Sequence, residues 1–588
     1  MRRVVLVLAL VAVTAPAQAA PKLTRYTIAG RCIAVDGTPE YFKATGLGTY
    51  MLSGPDGMLR AADGSKTATP GPAAEYAAAV SGQTITLTPT AGGAPVTAAA
   101  KLASGCKPYP EAGVQATGKP GRGVRKDGTL IGFADAHVHI TAQYRAGGSV
   151  IYGENFDRFG ISEALGHDAD VHGPDGSLDV TGNLLRTGKP TGTHDTNGWP
   201  SFTGWPVYDT YTHQQVYYRW LQRMWMDGER LAVAQTIEDE PLCNIEPTRS
   251  HSCSETDTVK LEVKALQDLQ DYVDAQSGGP AKGWFRLVYD PAQARKVIAA
   301  GKLAVVIGVE SSDPFGCSEK NGQPQCTKAD VDNGIRLFHT LGIRALFIAH
   351  WVDNAFAGAA LEGGSNGTFI NLLQQEETGN PFMTGPCPDP QQGSSCNSRG
   401  LTDLGQYLIG KLMDAHMLIE ADHLAEQARE QVTALTEARH YPLVSSHNGT
   451  GGFWTKAQLQ RLQRDGGYVS ATEEDAAPFA AKIARYGSDG FKGVGIGTDT
   501  GGFAALPGPQ KSALAYPFPA LYGKVRLGRE KSGTKTFDLN KDGVAHYGLM
   551  ADLLADVTHQ KHGARARSLL MHSAEAYVET WERAVGTR

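Results

Sequence analysis

Histidines and carboxylates recur in this chain at the ends of short apolar runs, and these side chains can hold a metal ion or move a proton. His137 and His139 close the run "LIGFADAHVHI". In an extended strand residues i and i+2 point the same way, so the two imidazoles can share one ion. Glu310 ends "LAVVIGVES", His350 lies in "ALFIAHWVDN", His423 ends "HMLIEADH", His447 lies in "PLVSSHNG" and Asp499 ends "GVGIGTD". One histidine at a strand end is ordinarily a hydrogen-bonded structural residue. An ordered set is different, because a strand end buries little apolar surface and gives no structural motive for so many ligand types. Nitrogen and oxygen donors without cysteine suit Zn2+, one ion or two, or another borderline divalent metal. His137, His139, Glu310, His423 and His447 are the expected metal ligands, with Glu310 able to bridge two ions. Asp499 is the expected proton carrier and His350 the group that steadies an oxyanion. The chemistry is metal-assisted hydrolysis.

Something must place these residues together. From Leu130 onward, short apolar runs alternate with helical segments, which predicts a parallel α/β arrangement. Eight strands can be placed in order: the six runs quoted above, with "LAVAQTIED" second and "GGYVSAT" seventh. "DPAQARKVIAAG" and "LAEQAREQVTALTEARH" predict two of the helices between them. Eight strand–helix units predict a (β/α)8 TIM barrel over 130–588, whose catalytic face lies at the C-terminal ends of its strands. Two long loops should shape that face: about eighty residues between the first and second strands, and Ala355 to Gly400 after the fourth. The first brings Trp199, Trp205, Tyr208, Tyr211, Tyr217, Tyr218, Trp220 and Trp225 toward the expected pocket mouth, with about half packing a buried helix face. It also carries His167, His172, His194 and His213, for which solvent exposure is the default on so polar a loop. Residues 21–115 read as a small β-rich domain, with strands at "YTIAGRCIAV" and "QTITLTPT", and 116–129 as a linker.

The chain is 588 residues long, 41% hydrophobic and 20% charged, a balance that excludes disorder and coiled coil. Its start, "MRRVVLVLALVAVTAPAQAA", has two arginines, an apolar run and a small-residue end, so residues 1–20 read as a signal peptide for export to the periplasm or medium. No other stretch is long and apolar enough for a transmembrane segment. A formal charge of −6 gives no reason to seek nucleic acid. Eight cysteines in an exported chain predict disulfides, paired locally as Cys32–Cys106, Cys243–Cys253, Cys317–Cys326 and Cys387–Cys396.

The blocks "RLVYDPAQARKVIAAGKLAVVIGVES", "GIRLFHTLGIRALFIAHWVDN", "GLTDLGQYLIGKLMDAHMLIEADHLAEQA", "YPLVSSHNG" and "GVGIGTDTGGF" resemble, in order and spacing, the membrane (renal) dipeptidases of the metal-dependent amidohydrolase superfamily. The resemblance runs from about Leu130 to Ala584. It implies His137 and the residue two on as ligands of a first metal, Glu310 as the bridge, His423 and His447 as ligands of a second. It makes His350 a substrate contact and Asp499 the acid–base group. Three departures stand out. The family has Asp where His139 stands; its carboxylate-binding arginine after the sixth-strand histidine has no counterpart before Lys456; and its second aspartate after the eighth strand is replaced in "TDTGG". The implied function is hydrolysis of an amide in a short peptide or N-acyl amino acid. Alternatives are a lactone, ester or phosphoester hydrolase with the same metals, and an exported binding protein without turnover. "GGSNG" matches a nucleophile elbow but follows no strand. "DLNKDG" begins like a calcium loop, yet its twelfth position is Leu549, which leaves a polar turn.

Overall fold

The computed structural model describes residues 23–389, 395–447 and 454–587. The expected signal peptide lies outside them. The chain divides into two compact units, one of residues 23–43 with 48–108, the other of 44–47 with 109–587.

In the larger unit eight parallel strands close on themselves: β1 Phe133–Val138, β2 Glu229–Glu238, β3 Leu303–Ser311, β4 Ile343–Phe347, β5 Leu418–Glu420, β6 Leu443–Ser445, β7 Tyr468–Ala471 and β8 Gly495–Ile496. Each pairs with its neighbours in sequence, and β8 returns to β1 through Asp135 opposite Ile496. The longest register runs between β2 and β3, from Leu231 opposite Ala304 to Glu238 opposite Ser311. This is the (β/α)8 barrel expected from the eight apolar runs. All but one of the strand residues are buried, because helices cover the outside and side chains fill the inside.

Local sequence sets the helices. Between β2 and β3, α1 (Glu255–Gln276) and α2 (Pro291–Ala299) form; Asp290 caps α2 by accepting from Gln293 N–H, and proline fills its first position. α3 (Lys328–Leu341) starts at a capping box of Thr327 and Asp330 and stops at Gly342 in the left-handed region. α4 (Asp403–Asp414), α5 (Glu426–Glu437), α6 (Lys456–Arg464) and α7 (Ala476–Ser488) precede β5, β6, β7 and β8 in turn. The four disulfides pair as the local spacing suggested. No helix among the described residues is long and apolar enough to cross a membrane.

The segment read as a linker is built into the barrel unit. Ala116–Lys119 pairs antiparallel with Lys524–Leu527. Its glycines, which suggested a free tether, permit close backbone approach instead. A Cβ on Gly118 would stand 2.0 Å from the Lys524 carbonyl oxygen, and one on Gly123 2.2 Å from that of Ile298. The smaller unit is an antiparallel sheet with strands Cys32–Val35, Thr38–Gly46, Thr49–Ser53, Glu75–Ser81, Thr84–Pro89 and Val96–Ala99 in that order. "QTITLTPT" is a strand there; in "YTIAGRCIAV" only the second half is, the first forming turns.

Candidate metal centre

Every residue of the expected set stands at the C-terminal end of a barrel strand or within three residues beyond it. His137 lies in β1 and His139 just past it, Glu310 is near the end of β3, and His350, His423, His447 and Asp499 follow β4, β5, β6 and β8. The structure brings all seven together around Glu310, a carboxylate only 1% exposed. Its Oε2 lies 3.3 Å from His137 Nε2 and 3.2 Å from His139 Nε2. Its Oε1 lies 3.4 Å from His423 Nε2 and 4.0 Å from His447 Nε2. One carboxylate therefore faces two pairs of imidazoles, one with each oxygen.

The geometry around Oε2 fits a cation. His137 Nε2 and His139 Nε2 are 3.1 Å apart, and Asp499 Oδ1 is 3.5 and 3.1 Å from them. Four donors each about 2.0–2.1 Å from a tetrahedral zinc stand about 3.3 Å from one another. Asp499 was expected to carry a proton rather than to ligate, yet its Oδ1 occupies the fourth corner of this set. On the Oε1 side His423 Nε2 and His447 Nε2 are 2.8 Å apart. His350 Nε2 is 3.8 Å from Glu310 Oε2 and groups with Glu310 and His423.

Partners on the outer nitrogens explain why the inner ones need a cation. His139 Nδ1 is 3.0 Å from the Gln235 carbonyl oxygen, which can only accept, so Nδ1 carries the hydrogen and Nε2 turns a lone pair inward. His350 Nδ1 donates likewise to Asp239 Oδ1 at 2.8 Å, and His447 Nδ1 lies 3.3 Å from Asp422 Oδ2. His137 Nδ1 is 3.1 Å from Ser446 Oγ. Carboxylate–histidine pairs of this kind orient metal-binding imidazoles. The result is a buried cluster of inward lone pairs and carboxylate oxygens, with Glu310 Oε1 lacking any hydrogen bond. Such a cluster repels itself without a positive charge at its centre. Burial opposes ionisation of Glu310 and Asp499, but a proton on His137, standing where the cation would, holds both carboxyls far below the ordinary range.

The positioning residues were not visible in the sequence as a set. Asp239 accepts from His350, from Ser312 Oγ at 2.5 Å and from Arg145 Nη2 at 2.7 Å. Asp422 accepts from the His447 backbone N–H, Ser445 Oγ and Trp454 Nε1. The only hints were their places, Asp239 closing "TIED" and Asp422 preceding His423. His423 and Asp499 have φ of +61° and +50°, strained for residues with a side chain and common at functional sites.

Of the other expectations, some hold and some change. The rings beside His350 are not those of the first insertion. Trp351 stacks on His350 at 5.1 Å, and Arg145 lies over Trp351 and Phe503 at 4.6 and 4.0 Å. Of the insertion aromatics, Trp205, Tyr217, Tyr218 and Trp220 are core residues. Trp225 stacks on Trp284 at 5.3 Å and donates to the Gly301 carbonyl. An amphipathic helix (Tyr218–Asp227) needs these rings for its buried face. His167 is exposed as expected, whereas His172 and His213 are buried and His194 nearly so. The acidic turn at Asp538–Gly543 is a polar turn: Asp538 pairs with Arg529 and Asp542 with Lys535. The side chains at 364–366 of "GGSNG", and the segment 448–453 after His447, lie outside the described residues.

No family model matches the chain. It is similar to an uncharacterized dipeptidase of Schizosaccharomyces pombe, 23% identical over 241 residues. The match covers 37% of this chain and 46% of that protein, so the chain spans about half the length of the curated relative it matches. Among solved structures it is similar to an amidohydrolase from Pseudomonas aeruginosa, at 14% identity, covering 60% of this chain and 89% of that one with a TM-score of 0.36. It is also similar to a metallopeptidase from Rhodobacter sphaeroides liganded with a phosphinate mimic of the dipeptide L-Ala-D-Ala. There the identity is 18%, the coverage 62% and 89%, and the TM-score 0.38.

Proposed function

We propose that this protein is an exported, metal-dependent hydrolase that cleaves an amide bond in a short peptide or N-acyl amino acid. The observation that carries the reading is Glu310, whose two oxygens face two separate pairs of imidazole nitrogens. His137, His139, Glu310 and Asp499 would hold one divalent ion, and Glu310, His423 and His447 a second. Zinc or a similar ion in those places supplies Lewis acidity toward a scissile carbonyl and acidifies water. Asp499 offers one oxygen to the ligand set and keeps Oδ2 free of it, so it can take a proton and return it to the leaving amine. His350, whose Nδ1 donates to Asp239, would steady an oxyanion through an Nε2 hydrogen as the imidazolium, a form that burial opposes and the Asp239 and Glu310 charges favour. The similarity to a dipeptidase supports a peptide substrate. The four disulfides support export.

The test is metal analysis followed by kcat/KM on dipeptides, D-residue dipeptides, N-acyl amino acids, lactones and phosphoesters. Amide cleavage that disappears on chelation and returns with zinc or manganese is expected. Lactones or phosphoesters as the best substrates would replace the amide reading. Protein without stoichiometric metal, inactive after metal addition, would overturn the hydrolase.

A further inference from the structure

The insertion between β1 and β2 holds a second cluster of ligand-type residues, made of Asp168, His172, His194 and His213. Asp168 Oδ2 lies 2.9 Å from His172 Nδ1, 2.7 Å from His194 Nε2 and 2.6 Å from His213 Nε2. Asp168 is fully buried, as are His172 and His213 within a few per cent, and the side chain of His194 is 7% exposed. We propose that these four residues hold a divalent ion of the zinc type, separate from the barrel centre and structural in role.

Hydrogen bonding alone accounts poorly for the cluster. Three ring nitrogens crowd one carboxylate oxygen, while the other, Oδ1, is buried and has no hydrogen-bond partner. His172 Nε2 lies 3.1 Å from the Val150 carbonyl oxygen, a pure acceptor, so that nitrogen carries the hydrogen. A neutral His172 therefore turns a lone pair, not a hydrogen, toward Asp168. A lone pair and a carboxylate oxygen facing each other in a buried place need a positive centre between them, a proton or a metal ion. Three imidazole nitrogens and one carboxylate oxygen are a four-donor set that zinc accepts.

The surroundings are those of a closed metal site. The outer nitrogens of two rings are tied down, His172 Nε2 by the Val150 carbonyl and His213 Nδ1 by Thr210 Oγ1 at 2.6 Å. Trp205 stacks on the His213 ring at 5.0 Å. Asp179 Oδ2 stands 3.8 Å from His194 Nδ1 and is itself held by Thr212 Oγ1. Four protein donors without an open position mark a structural site rather than a catalytic one. The need for a clamp is legible too. The loops after β2, β3 and β4 each carry a disulfide, Cys243–Cys253, Cys317–Cys326 and Cys387–Cys396. The longer loop after β1 has no cysteine, and Asp168 and His213 tie together points 45 residues apart in it.

Crystals of the full-length wild-type protein equilibrated with zinc, measured at the zinc absorption edge, test this directly. An anomalous peak bounded by Asp168, His172, His194 and His213 is expected. Absence of a peak there overturns the proposal, whatever the barrel centre contains, and leaves a hydrogen-bonded cluster with a charged histidine. In solution, His213→Asn should lose one zinc equivalent per chain relative to wild type while Glu310→Gln keeps that ion. Equal zinc content in His213→Asn and wild type would also overturn it. Because the crystal test uses wild type and the insertion ion is counted separately, failure here leaves the hydrolase reading standing, and the reverse holds.

Discussion

The barrel centre and the insertion cluster use the same donors, imidazole nitrogen and carboxylate oxygen, yet they are built differently. In the barrel centre the donors sit at the ends of five strands, a scaffold fixed by backbone pairing on both sides. In the insertion they come from irregular chain and a single turn of helix. The centre is also the more open of the two: the side chains of Asp499 and His423 are 16% and 10% exposed, whereas Asp168 is sealed. Donors on rigid strand ends with one side open suit chemistry, and donors closed on themselves suit the holding of a loop. A substitution in one region should therefore leave the other unchanged.

The largest effect belongs to Glu310. Glu310→Gln removes the charge shared by both halves of the centre, and kcat/KM should fall by about 10^3 or more, the several kcal/mol a metal contributes to such a reaction. Zinc at the insertion should remain. Loss of zinc from both places in this variant would mean that the regions are not independent.

A smaller effect is expected one layer out. Asp422→Ala and Asp239→Ala remove the acceptors behind His447 and His350. Activity should drop about 10–100-fold. Asp422→Ala should also weaken metal binding, since His447 is an assigned ligand, whereas Asp239→Ala should act mainly on turnover. Equal loss of metal in both would place His350 among the ligands.

His213→Asn should show the opposite pattern. The thermal midpoint should fall by about 2–4 °C for each kcal/mol the ion contributes, while kcat/KM of the folded enzyme changes less than about threefold. A large loss of activity with unchanged stability would make the insertion cluster part of the reaction.

The smallest effect is a control at the opposite end of the barrel. Asp227 is buried just before β2, and burial pushes its carboxyl up to about 7 against the Leu521 N–H hydrogen bond and the Arg223 charge. Folded protein keeps that proton where the unfolded chain, with an ordinary value of 3.8, has released it. Stability contributed by this group is therefore full below about pH 4 and lost as pH rises toward 7. Asp227→Asn should be close to neutral below about pH 4 and relatively stabilising at pH 8, with metal content and kcat/KM at neutral pH unaltered. Urea midpoints at the two pH values check the sign.

The two regions also differ in what the sequence displays. Barrel strands are buried on both faces, so they read as unbroken apolar runs, and "LAVVIGVES" or "GVGIGTD" announce both a strand and the ligand-type residue at its end. Asp239 and Asp422 escape such reading because their roles depend on partners across the barrel. His172, His194 and His213 escape it for the same reason more strongly. Their neighbours in sequence include glycine, threonine, aspartate and glutamine, which signal a solvated loop, and only tertiary folding carries them inward. The linker reading of 116–129 failed on the glycines, which serve either a free tether or a backbone pressed against its neighbour.

The central claim is that Glu310 joins two metal-binding halves into one catalytic centre. Zinc titration of metal-free His213→Asn protein, following amide hydrolysis and bound zinc together, tests it most directly because the insertion ion is removed from the count. Activity should rise with zinc and reach its plateau at about two equivalents per chain. Full activity in the metal-free protein, or a plateau reached with no zinc bound near Glu310, would contradict the account.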